Sequence, residues 1–107
     1  MFTRIVECYV KREKADEFRD RIKNLVLPVL QSQPGFVDLI ALSSDDEPAR
    51  TISITIWNSR ADADRYHHDH FEQILNSVRP LLIDEPSIEF YNVEASTVHR
   101  IAAGRAA

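Results

Sequence analysis

Three of the four histidines in this chain, His67, His68 and His70, fall within one short segment, and no other stretch gathers as many groups that titrate near neutrality. Such a cluster has three readings: metal ligands, an acid or base in a cleft, or solvated and capping side chains on a helix. Residues three apart share a helix face only where the helix is unbroken, and no Asp-rich or Cys-rich segment supplies further ligands, so no metal is expected. Tyr66, Phe71 and Ile74 have the spacing to cover a sheet. His67 and His70 flank that inward face better than His68 does, which makes His67 the first candidate base and His70 the second. Glu7 and Asp38 are carboxylates within strand-like runs, where a base of raised pKa and a rim ion pair are both open.

A second chemical signal lies just upstream, in Thr51-Ile-Ser-Ile-Thr-Ile-Trp57. Strict alternation puts Ile52, Ile54 and Ile56 on one sheet face and Ser53, Thr55 and Trp57 on the other. An indole beside small hydroxyls suits the floor of a pocket, or else Trp57 simply fills the core. Ser53, Thr55 and Trp57 are thus candidate ligand-binding residues, and the ligand such a floor suits is small and aromatic or otherwise hydrophobic.

The elements that must position these groups follow from periodicity. Phe2, Arg4, Val6, Cys8 and Val10 alternate with Thr3, Ile5, Glu7 and Tyr9 as a first strand. Ala15, Phe18, Ile22, Leu25, Val26 and Val29 then recur at helical spacing, with Pro28 expected to kink the helix before Gln31 and Pro34-Gly35 to force a turn. Residues 36–42 and 51–57 read as two neighbouring strands that pair antiparallel. Ser59 and Asp62 have capping-box spacing for a second helix, which is expected to break near Tyr66–His70 and restart from a fresh cap at Asp69. Residues 88–94 supply a fourth strand.

The order β-α-β-β-α-β implies an α+β, ferredoxin-like domain over residues 1–95, a four-stranded antiparallel sheet with both helices on one face. Its isoleucine face would be bare, a patch too large for a monomer, so a homodimer joined sheet to sheet is expected. Residues 96–107 form a tail: Thr97–Ile101 has the pattern of a strand added to a partner, and the small residues after it are expected to fray.

Composition excludes several classes. The 107 residues, 44% hydrophobic and 28% charged, allow one core, and a net charge of -4 with scattered Lys and Arg argues against nucleic acid. Cys8 is the only cysteine, reads as a small buried filler, and fits a reducing cytoplasm. No signal-peptide pattern opens the chain and no long apolar run suggests a membrane segment. Gly35 and Gly104 are the only glycines, too few for a phosphate-cradling loop, and no Ser-His-Asp or Cys-His pattern is present.

With this element order, Trp57-Asn-Ser-Arg60 at the end of a strand, Gln33-Pro-Gly-Phe36 and the helical stretch from Ala61 to Leu82, the chain resembles the antibiotic-biosynthesis monooxygenase-like family of dimeric α/β barrels over about residues 3 to 94. The family includes quinone-forming oxygenases that need neither metal nor flavin, haem degraders and isomerases. The resemblance implies a cavity between sheet and helices, floored by Ser53, Thr55 and Trp57 and roofed by Tyr66, His67, His70 and Phe71. It also exposes departures. Haem-degrading members have a second Trp where this chain has Tyr66 and a haem-ligating His at or near Asn76; quinone-forming members pair the strand Trp with Asn at the position of Ser53 and Tyr at that of Ala63. The resemblance therefore implies a small, cofactor-independent, monooxygenase-like enzyme acting on an aromatic or enolisable molecule, with His67 or His70 as its base. A non-catalytic ligand-binding or protective dimer is the alternative.

Overall fold

In the computed structural model, which describes residues 1–99, four strands form one antiparallel sheet in the order β2-β3-β1-β4: β1 (Phe2–Tyr9), β2 (Phe36–Ser43), β3 (Arg50–Trp57) and β4 (Ser87–Asn92). The connectivity is the ferredoxin-like arrangement expected from the sequence. Because paired residues share a face, the register lays out the inward side in rows. Phe36, Trp57, Phe2 and Asn92 make one row; Leu39, Thr55, Arg4 and Phe90 make the next; Ala41, Ser53, Val6 and Ile88 the third. Opposite them, Ile40, Ile54, Ile5 and Glu89 sit in one row of the outward side. A bulge between Phe36 and Asp38 keeps Leu39 facing inward.

Two helices, residues 15–31 and 60–78, supply the other layer, and each contains a widened π turn, Ile22–Val26 in the first and His67–Phe71 in the second. The second helix is thus continuous where a break was expected, and Asp69 caps nothing. The reason lies in the apolar spacing. The buried residues Ala63, Tyr66, Phe71, Ile74, Leu75 and Val78 include one step of five, from Tyr66 to Phe71. On an α-helix of 3.6 residues per turn, that step carries a side chain about 140° around the axis. One extra residue in the turn restores it to the inner face.

The first helix solves a related problem. Phe18, Ile22, Val26 and Leu30 are spaced by fours and would drift about 40° per step on a regular helix. The π turn takes up that drift. It also ends with one residue, Leu27, left before Pro28, and the Leu27 N–H reaches back five residues to the Ile22 carbonyl, so the proline is accommodated and the helix runs on to Gln31. Phe18, Val26 and Leu30 from this helix meet the buried residues of the second over the inward face of β1.

The start of the second helix is fixed by its cap. The Asp62 N–H donates to Ser59 Oγ at 3.2 Å, and the hydroxyl itself donates to Asp62 Oδ2 at 2.9 Å, a variant of the capping box suited to a side chain shorter than Glu. Gly35 packs against this cap with φ at 82°, and its carbonyl accepts from the Asn58 N–H at 2.8 Å.

On the outward side of the sheet, Ile40, Leu42 and Tyr91 are exposed and Ile5, Ile52 and Ile54 half-buried. One end of this face is closed: Thr3 and Ile56 are buried, and His99 Nε2 lies 3.7 Å from Asp38, the cross-strand partner of Ile56. Residues 97–99 form a turn, and the rest of the expected tail strand and the small-residue end lie outside the described residues.

Replacing Gly35 by Ala tests the junction between the β2 turn and the helix cap. A methyl group there would stand 2.6 Å from Asp62 Cβ and in a conformation that L side chains rarely adopt. The G35A variant is expected to lose about 1–3 kcal/mol of stability in urea unfolding, with an unchanged m-value.

Candidate active site

A cavity of about 50 Å³ lies between the inward sheet face and the two helices. Ser53 and Thr55 form part of its floor, Tyr66 and Phe71 part of its roof, and the remaining lining is largely aliphatic, with Cys8 at one side. At that volume it accepts a few waters or a small head group.

The one charged group in this wall is Arg4, a residue to which the histidine cluster does not point. It projects from the middle of the inward face of β1, directly opposite Thr55 and Phe90, and is 1% exposed. Three aromatic faces surround its guanidinium, with Cζ 4.6 Å from the ring centre of Phe71, 5.2 Å from Tyr66 and 5.9 Å from Phe90. Such contacts offset part of the loss of water. No carboxylate pairs with it among the described residues; its one hydrogen bond runs from Nη2 to His67 Nδ1 at 2.9 Å, and Nε has no partner. Burial holds the guanidinium below its ordinary pKa, partly opposed by Tyr66 and Asp64.

His67 is placed by the π turn. Its ring stacks on Phe71 at 5.0 Å between centres and meets Phe90 edge-on at 5.9 Å. Since arginine only donates, Nδ1 must be the lone-pair nitrogen, and the neutral ring carries its proton on Nε2. Burial and then the Arg4 charge hold the imidazole below its ordinary pKa. His67 is therefore neutral at physiological pH, in contact with the cavity through Arg4.

The other candidates are distributed differently. His70 stacks on Tyr66 at 6.2 Å and lines a shallow outer groove with Leu25, Val29, Gln73 and Ile74. His68 is exposed and bonded to Asp69. Trp57 is wholly buried in the row beside the cavity: its Nε1–H donates to Thr55 Oγ1 at 2.9 Å, and its ring packs edge-on to Phe36 at 5.6 Å and stacks on Tyr66 at 5.1 Å. The structure thus puts Ser53, Thr55, Tyr66 and Phe71 in the cavity wall, with Trp57, His67 and His70 behind or beside it.

Glu7 faces outward, paired with Arg50 and accepting from Ser87, and Asp38 faces His99; both carboxylates stand on the sheet side away from the cavity. Asn76 accepts from Arg79 on the exposed side of the second helix. Burial, reinforced by the Glu7 charge, pushes the Cys8 thiol up to about 11, and burial raises the Tyr66 phenol to about 12, so both line the cavity as neutral groups. Among the described residues no group of three His, Cys, Asp or Glu side chains converges as a metal site, and no helix is long and apolar enough to cross a membrane.

Residues 1–77 match the family model for antibiotic biosynthesis monooxygenases. No curated protein matches the sequence. Among solved structures, a conserved protein from Methanosarcina mazei Go1 is 26% identical, with 86% of this chain and 92% of that one covered and a TM-score of 0.73. SnoaB, a cofactor-independent oxygenase from Streptomyces nogalater, is 18% identical, with coverage of 90% and 95% and a TM-score of 0.76. A protein of unknown function from Nitrosomonas europaea is likewise 18% identical, with coverage of 89% and 90% and a TM-score of 0.76. At such identities these likenesses speak to the fold.

The Arg4–His67 contact makes a directional forecast. In a pH titration followed by NMR, His67 is expected to have its midpoint below the ordinary 6.5, and Arg4→Met to move it upward. Because the folded value is depressed, the stabilisation carried by the neutral ring is full above the ordinary pKa and is lost as pH falls through the folded one.

Proposed function

The chain belongs to the antibiotic biosynthesis monooxygenase family, and on that premise we propose that it is a cofactor-independent oxygenase acting on a small aromatic or enolisable molecule. The observation that carries this reading is the pairing of a buried, carboxylate-free guanidinium in the cavity wall with an imidazole held neutral. Oxygenation without a cofactor needs a substrate that gives an electron to dioxygen, and a carbanion or enolate does so far more readily than the neutral molecule. Arg4 is suited to stabilise the developing oxyanion in a site shielded from water. His67, whose Nδ1 lone pair accepts from Arg4 Nη2, is suited to accept the proton once a substrate oxygen replaces it as the acceptor beside Arg4.

The step balances as follows. The substrate methylene loses a proton to His67, the carbanion passes one electron to dioxygen, and the two radicals join as a peroxide. The imidazolium returns its proton to the peroxide, and loss of water leaves a carbonyl, with one oxygen atom in the product and the other in water. Ser53 and Thr55 orient the substrate from the floor, Tyr66 and Phe71 cover it, and Trp57 holds Tyr66 in place. His70, the second candidate base, stands at the outer groove, where Ile74 separates it from the cavity. The small cavity, with Trp57, His67 and His70 outside its wall, favours a second reading, a ligand-binding dimer without turnover.

The open sheet face also supports a homodimer, in which Ile40, Ile52 and Ile54 meet their counterparts across a two-fold axis over roughly 1,200–2,000 Å². A cytoplasmic location is consistent with the free, buried Cys8. Sedimentation at micromolar concentration is expected to give a dimer, and Ile54→Lys to give a monomer; a monomeric parent protein rejects this assembly.

Oxygen consumption with hydroxylated anthrones and 1,3-diketones separates the two functional readings. The oxygenase is expected to lose about 10²–10⁴-fold in kcat/KM on His67→Ala and to keep its rate within about twofold on His68→Ala. Binding of the same compounds without any oxygen uptake selects the ligand-binding dimer.

A further inference from the structure

Arg4 constrains the ligand more narrowly than the family does. A guanidinium closed off from water normally meets a carboxylate, because an uncompensated charge is costly to bury. Here aromatic rings surround it and one Nη2 hydrogen goes to a neutral imidazole, which leaves the charge uncancelled. The one carboxylate among the described residues that acts on its charge, Asp64, forms no ion pair with it and instead pairs with Arg60 at 3.6 Å. With one Nη2 hydrogen committed to His67 and Nε–H without a partner among the described residues, one edge of the fork keeps two N–H donors on a side chain that lines the cavity. An in-plane edge with two N–H donors matches an anion whose two oxygens lie in one plane.

We propose that the ligand of this cavity is an organic monoanion with a planar two-oxygen head, a carboxylate or the enolate of a 1,3-dicarbonyl, bound by the free edge of Arg4. This rests on the reading of the cavity as the ligand site, and it holds for a catalyst or a binding protein alike. The volume fits the head group, and the aliphatic lining of Ile22, Val26 and Leu39 fits an uncharged remainder. A longer ligand extends past Ile74, which borders both the cavity and the outer groove, so the tail leaves between the two π turns.

Benzoate tests the site without chemistry, because it cannot be enolised and gives no electron to oxygen. Calorimetric titration of the full chain is expected to show benzoate binding at least tenfold more tightly than its neutral isostere benzamide. In ¹⁵N-correlated spectra the Arg4 Nε–H is expected to move downfield with benzoate and stay fixed with benzamide. Arg4→Met is expected to abolish the preference. A parallel titration with acetylacetone above its pKa separates the two head groups: tighter binding than benzoate assigns an enolate, weaker binding a carboxylate. Equal affinity for benzoate and benzamide in the parent protein, or an Arg4 Nε–H unmoved at saturation, overturns the proposal even if Arg4→Met does not fold. Absence of oxygen uptake overturns the oxygenase reading alone.

Discussion

A positive charge enclosed without a negative one is the interaction around which the rest of this small fold is arranged. Arg4 stands in the centre strand pair of the sheet, itself closed off from water although its cross-strand neighbour Phe90 stays exposed. Rings of Tyr66, Phe71 and Phe90 present their negative faces to it, and His67 gives it a single neutral acceptor. Neither kind of contact cancels the charge. In a low-dielectric interior the remaining field acts strongly over the few ångströms of the cavity, so the site is preorganised for a negative partner before any ligand arrives. A carboxylate in place of His67 would make a firmer ion pair and a dead site.

The π turn of the second helix is what allows this set of contacts. Tyr66, His67 and Phe71 all touch the same guanidinium or one another, although a regular helix directs residues five apart to different faces. One added residue per turn brings Phe71 back over the sheet while His67 stays beside it. The cost of the wider turn is borne by the packing of Ile74, Leu75 and Val78 beyond it, all buried. The first helix has its own π turn across the outer groove, where Leu25 and Val29 face His70 and Gln73.

Strand faces, the sheet topology and the helix cap were legible because each rests on a short-range rule: alternation in β1 and β3, an antiparallel connection between close strands, a serine three residues before an acid. The continuity of the second helix was not legible, since a five-residue gap in an apolar pattern reads equally as a break or as a π turn. Only the tertiary demand that Phe71 cover Arg4 decides it. Arg4 itself carried a signal, a cation alternating with Phe2, Val6, Cys8 and Val10, yet a lone charge in such a pattern is equally at home at a strand rim. Its meaning depends on Tyr66 and His67, more than 60 residues away, which supply the rings and the acceptor.

Trp57 shows how a residue can matter to a site that it does not line. Its only polar atom is bonded to Thr55, and its ring has no exposed surface, so it offers a ligand neither a hydrogen bond nor a face. What it does is fix Tyr66: the two rings stack at 5.1 Å, and the Arg4 guanidinium carbon lies 5.2 Å from the centre of the same phenol ring. The same indole ties Thr55 into a chain that ends on the Arg4 carbonyl at 3.4 Å. Strand-terminal tryptophan, floor threonine and buried arginine are therefore one mechanical unit. Moving the indole would shift the ring and the backbone that together aim the guanidinium, and a displacement of about 1 Å at such a group is enough to change how it meets a reacting atom.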